Sequence, residues 1–151
     1  MINVMVDDIF APQVDSVNLE IAAQKTLELH HNPIEADLSI VIVDNEQMQA
    51  LNLQYRSTDA TTDVLSFPAD FVDPDNEKPY LGDVIISFPK CYEQAQSANL
   101  STNEELVLLV VHGVLHLLGY DHIKEHEKRS MWSIQAEILD QLGYRDISLP
   151  S

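Results

Sequence analysis

Basic residues are scarce in this chain. Its 151 residues include 8 Lys and Arg against 25 Asp and Glu, a formal net charge of -17. Contacts to phosphates need Lys and Arg, so this balance counts against an extended electrostatic grip on bare nucleic acid, and no DNA partner is expected. It leaves room for a small basic cleft on an acidic body, or for a substrate that arrives within a larger assembly. Cysteine is nearly missing too. Cys91 stands alone, so no internal disulfide can form, which fits a reducing compartment. Cys91 reads as a small packing residue rather than a catalytic thiol. Long apolar runs are also wanting. The longest, Leu106 to Val111, breaks at His112, well short of the ~20 residues that span a bilayer. The opening MINVMVDDIF has no basic segment leading into an apolar one, so neither a secretory signal nor a membrane partner is expected. A cytoplasmic location follows.

What is present is an ordinary globular composition. Hydrophobic residues make up 45% and charged residues 22%, and the apolar residues are too evenly spread for a large disordered region. The length predicts a single domain over residues 1–151.

Residues 2–7 alternate and read as a strand. Asp15 and Ser16 are N-cap candidates for a helix from about Val17. Leu19, Ala22, Ala23, Thr26, Leu27 and His30 share one face of it, and Asn32-Pro33 ends it. Leu38 to Val43 is a second strand. Asp44 with Gln47 forms a capping-box pattern for a helix carrying Met48, Leu51 and Tyr55. Thr62 to Phe67 is a third strand stopped by Pro68, and the acidic stretch 69–80 reads as an exposed loop. Leu81 to Phe88 is a fourth strand, and a helix follows from about Pro89. Thr102 with Glu105 suggests a second capping box. The helix it opens runs to about Leu118, is apolar nearly all round and is therefore expected at the centre of the fold. Gly119 stops it. A last helix spans roughly 124–141, with Met131, Ile134, Ile138 and Leu142 facing inward. This order predicts an α+β fold: a small mixed four-stranded sheet packed on helices, with an antiparallel pair between residues 62 and 88.

The chemistry concentrates in residues 112–122, HGVLHLLGYDH. His112 and His116 are four apart in a helix, so both imidazoles leave the same face. Gly119 lets the chain turn back, so His122 can approach the same point. Three imidazoles with a fourth position left open are the ligand set of a catalytic zinc site, with one zinc per chain. Two imidazoles without a metal would need hydrogen-bond partners that the surrounding Val and Leu cannot supply. The spacing is that of the metzincin motif HExxHxxGxxH, except that Gly113 replaces the glutamate that acts as general base. The cage of a hydrolytic zinc enzyme is thus present and the protease's base is missing. Glycine inside a helix costs up to about 1 kcal/mol relative to alanine, so Gly113 invites an explanation. Either a carboxylate there would repel an anionic substrate, or a bulky substrate needs the room. On the first view Gly113→Glu keeps zinc, gains a little helix stability and loses hydrolysis of that substrate. His126 reads as a solvated helix residue, and His30 and His31 as surface residues at a helix end.

HGVLHLLGYDH resembles the signature of the YbeY family of bacterial RNA-processing endoribonucleases. YRSTDATTDVLSFP (residues 55–68) and LGDVIIS (residues 81–87) are similar to two further blocks of that family, in the same order. The resemblance spans about residues 37–142. It implies a zinc-dependent endoribonuclease acting on single-stranded RNA. It further implies a link to maturation of ribosomal RNA, notably the 3′ end of the small-subunit RNA, to ribosome quality control, and to ribosome-associated proteins. It places the metal on His112, His116 and His122 and matches the family's functional arginine to Arg56. Arg56 is also the sole Lys or Arg between Lys25 and Lys78, and a planar guanidinium suits bidentate binding of phosphate. Asp63 and Asp83 read as structural. Asp121 either orients a ligand imidazole or caps the following helix. The general base is open among metal-activated water, Asp121 and the RNA's own 2′-hydroxyl. Two rivals stand beside this reading. One is a zinc peptidase of altered mechanism. The other is a non-catalytic ribosome assembly factor whose structural zinc would need a fourth ligand such as His126.

Overall fold

The computed structural model describes residues 1–30, 32–56, 62–72, 74–75, 77–121 and 124–144, with the backbone alone at Arg56 and Asp70. Four strands and five longer helices follow one another as β1 (Ile2–Val6), α1 (Ser16–Leu29), β2 (Asp37–Val43), α2 (Asn45–Arg56), β3 (Val64–Val72), β4 (Pro79–Ser87), α3 (Phe88–Ser97), α4 (Thr102–Leu117) and α5 (Glu125–Gln141). The sheet order is β1-β2-β4-β3. β1, β2 and β4 are parallel, and β3 lies antiparallel to β4 at the edge. The architecture is the expected α+β fold with a mixed sheet.

Alternation along the strands divides the core. Leu38, Ile40 and Ile42 of β2 and Val84 and Ile86 of β4 face the main core with α1, α4 and α5. Val43, Leu65 and Ile85 face a smaller cluster with Met48 of α2. Both sides of the central strands are covered, which is why β2 reads as an unbroken apolar run instead of an alternating one. Helix α4 is buried along almost its whole length, from Glu105 to Leu115 and again at Leu117. Each fully buried Val or Leu there contributes roughly 1.5–3 kcal/mol of apolar transfer.

Three expectations are corrected. Pro68 does not stop β3, which continues to Val72, and β4 begins at Pro79. Residues 69–72 and 79–80 therefore belong to the hairpin. Proline is tolerated because β3 is the edge strand and needs no N–H on its open side. It pairs with Gly82 beside a register irregularity. Gly82 has φ +137, and a Cβ there would meet Phe67 O at 2.1 Å, so only glycine suits this close approach. The capping box of α4 is Ser101 with Glu104, one residue earlier than the other pair that fits the same pattern. This leaves Glu105 turned inward and 6% exposed. His30 is buried, packed edge-on against Tyr120 with ring centroids 6.2 Å apart. It continues the apolar face of α1 and so points into the core. His31 lies outside the described residues. The Asp44–Gln47 box forms as expected, each side chain accepting from the other's backbone N–H at 2.7 and 3.1 Å.

Candidate metal centre

Helix α4 brings His112 and His116 together, one turn apart on a single face. Their Nε2 atoms are 3.1 Å from one another, and the rings stand nearly perpendicular at 81°. His112 is buried and His116 half-buried. The helix then ends in a Schellman motif: Tyr120 N–H donates to Leu115 O and Gly119 N–H to His116 O, both at 3.0 Å. Gly119 supplies the left-handed residue this requires, at φ +99. The chain thus turns back directly after the second imidazole, as the spacing suggests. His122 lies outside the described residues. The sheet side is pinned as well, because Ser66 Oγ of β3 donates to Gly113 O at 2.9 Å.

A residue without any motif completes the described geometry. Gln135 of α5 is fully buried, and its Oε1 lies 2.9 Å from His112 Nδ1. With the carbonyl oxygen facing the ring, Nδ1 carries the proton and donates, and Nε2 is left with its lone pair. The sequence signal was a polar residue within the inward stripe Met131, Ile134, Ile138, but that stripe alone does not say which side chain lies opposite.

The pair suits a metal. Two ligands at about 2.0–2.1 Å from one zinc, at the tetrahedral angle, stand about 3.4 Å apart. The observed separation is a few tenths of an ångström shorter, and the His112 lone pair already points into the gap. Among the described residues no cluster of three or more His, Cys, Asp or Glu is placed to hold a metal. The expected third ligand is outside them.

The other singled-out residues divide clearly. Arg56 is the last residue of α2, and its side chain lies outside the described part. Asp63 stands just before β3, accepting from Val64 N–H at 2.9 Å and from Gln94 Nε2 at 3.2 Å. Asp83 accepts from Tyr80 Oη, which also bonds to Ser39 Oγ at 2.8 Å. Both carboxylates serve the framework. The N-cap position of α5 is Lys124, so Asp121 does not occupy it. His126 is exposed on the first turn of α5. Cys91 is buried, with its thiol on Thr102 O, and burial pushes its pKa well up. That is the packing role expected of it. Glu105 lies two turns before His112 on α4. Burial first, and the negative charge of Asp63 second, raise its carboxyl to about 7.

Fold and site define an α+β protein built round a buried helix that presents two imidazoles at a single point. The family model described as "Endoribonuclease YbeY" matches residues 8–143, and the chain belongs to that family. It is 40% identical over 147 residues to the Endoribonuclease YbeY of Geobacillus kaustophilus, covering 91% of each chain. It is 44% identical over 131 residues to that of Carboxydothermus hydrogenoformans, covering 86% of this chain and 90% of the relative. Among solved structures it is similar to the solution structure of TM1509 from Thermotoga maritima, with a TM-score of 0.59 at 23% identity over 100% of this chain and 99% of that one. That likeness concerns the fold.

Proposed function

We propose that this chain, working as one domain over residues 1–151, is a zinc-dependent endoribonuclease that cuts single-stranded RNA. One observation carries the reading. In a member of the endoribonuclease YbeY family, a buried helix sets two imidazole Nε2 atoms 3.1 Å apart, with the far ring nitrogen of one hydrogen-bonded to a buried amide. His112, His116 and His122 would hold the zinc. When bound, zinc supplies Lewis acidity toward a phosphoryl oxygen.

The chain's own residues do the rest. The capping box and the Schellman stop hold α4 at both ends, so the imidazoles are set by a rigid element and not by a loop. Gln135, with Oε1 2.9 Å from His112 Nδ1, favours the tautomer that leaves Nε2 free for the metal. Arg56 stabilises charge developing on the transferred phosphoryl group, as a planar guanidinium does for phosphate. With 25 acids against 8 bases, the chain gains little from bare polyanions. This favours ribosomal RNA within an assembly, in the cytoplasm and with ribosome-associated proteins nearby, as the substrate. The small-subunit 3′ end is the proposed site of action. No helix among the described residues is long and apolar enough to cross a membrane.

A peptidase mechanism is disfavoured by position as well as identity. A side chain at 113 would be directed at Val84 and Ser66 of the sheet. The test is incubation of zinc-loaded protein with structured and unstructured RNA, with mapping of the ends. Cleavage confined to unstructured RNA is expected. A cyclic phosphate end would assign the attack to the RNA's 2′-hydroxyl, and a 3′-hydroxyl end to water. Absence of cleavage with full zinc content would favour a non-catalytic assembly factor.

A further inference from the structure

Gln135 is fully buried on the apolar face that α5 turns to the core, between Met131 and Ile138. A buried amide is costly unless both its ends find partners, and an Ile or Leu in its place would carry no such cost. Here only one end is matched. Oε1 meets His112 Nδ1 at 2.9 Å, while Nε2 is buried and meets no acceptor among the described residues. The chain therefore keeps a half-satisfied polar group at a site where an apolar one would pack. Its matched end touches the ring nitrogen that faces away from His116.

Resting on the zinc reading above, we infer that Gln135 is a positioning residue that sets the metal affinity of the site through the tautomer of His112. With Oε1 as acceptor, the His112 proton sits on Nδ1 and Nε2 offers a lone pair. An amide can also present its N–H instead. Nε2 of Gln135 would then donate to Nδ1, the imidazole proton would move to Nε2, and that atom would turn from ligand into donor toward His116 Nε2, 3.1 Å away. Glutamine thus supports either state of the ring. A carboxylate at 135 would accept only, and would hold the ligand form alone. An apolar residue would hold neither. Outer partners of metal-bound imidazoles commonly change affinity by about 10–100-fold, so zinc affinity should rank Glu, then Gln, then Met and Leu.

The test is competition of the full chain against a chromophoric chelator, comparing wild type with Gln135→Glu, Gln135→Met and Gln135→Leu. Thermal unfolding of each metal-free chain separates metal affinity from stability. Nitrogen-15 spectra of the His112 ring report its tautomer directly. The expected result is a zinc Kd raised about 10–100-fold in the Met and Leu variants, unchanged or lowered in the Glu variant, with a mixed His112 tautomer in the metal-free Met variant. If Leu fails to fold, Met and Glu still decide. A Kd within about threefold of wild type in the Met variant, or weaker binding by Glu than by Met, would overturn the inference while leaving the zinc reading intact. A wild-type chain that takes up no zinc would overturn the zinc reading itself, and this inference with it.

Discussion

Gly113 lies so close to Val84 that a Cβ on it would come within 2.5 Å of Val84 Cγ1 and 3.2 Å of Cγ2. The glycine lets α4 settle against β4, with Ser66 Oγ bonded to its carbonyl. This gives the glycine a packing role beside the two explanations read from the sequence, since the room next to it is taken by the sheet. Gly113→Ala should therefore destabilise the chain by about 1–3 kcal/mol through overpacking, not stabilise it through helix propensity. Gly113→Glu, which would bury a carboxylate against Val84, should do more damage. Adding Val84→Ala to Gly113→Ala should recover part of the loss. Urea unfolding of the two single variants and the double variant measures this, and a Gly113→Ala chain more stable than wild type would refute it.

Removal of a ligand imidazole should abolish metal retention. Purified wild type is expected to carry about one zinc, lost to a chelator, because a site of three imidazoles with an open fourth position is the catalytic type. His116→Ala should retain none through gel filtration. His126→Ala should keep the wild-type content, since His126 is exposed on the first turn of α5. Elemental analysis decides, and tight retention by His116→Ala would dismiss the triad.

Arg56→Ala should keep zinc content and fold while losing about 10²–10³-fold in RNA cleavage rate, the scale set by loss of one charge-stabilising donor. Arg56→Lys should rescue poorly, because an ammonium cannot make the paired contact of a guanidinium. Single-turnover cleavage of an unstructured RNA is the readout. Full activity in the alanine variant would remove Arg56 from the mechanism.

Glu105 should make stability fall with rising pH. Burial and Asp63 hold its carboxyl at about 7 in the fold, against an ordinary 4.5. Below about 4.5 both states are protonated and the fold loses nothing; between the two values the unfolded chain has shed the proton that the folded chain keeps, so each step upward favours unfolding. Above about 7 the penalty is complete, at most on the order of 3 kcal/mol. In metal-free chains, Glu105→Gln should match wild type near pH 4.5 and exceed it at pH 8. An equal stability difference between the two chains at both pH values would contradict this.

Much of the frame was written locally. The pairing of His112 with His116 follows from helical geometry, since residues four apart share a face whatever surrounds them. The burial of α4 follows from its lack of a polar face, and the Gly119 stop from the left-handed residue that a Schellman ending needs. The strand–helix order came from the alternation of periods. The remainder depended on neighbours distant in the chain. Pro68 lies within a strand because that strand is at the sheet's edge, and edge position is a property of the assembled sheet. Two capping boxes fit residues 101–105, and the inward turn of Glu105 accompanies the one that forms. His30 is buried by what packs over α1. The use of Gly113 appears only with Val84 opposite it, and Gln135 stands 23 residues from the imidazole it holds. Spacing along a helix is set by the repeat of its own backbone, so sequence alone determined which imidazoles could act together. Which side chain meets the far nitrogen of a ring is set by how two helices pack, and only the tertiary structure decided that.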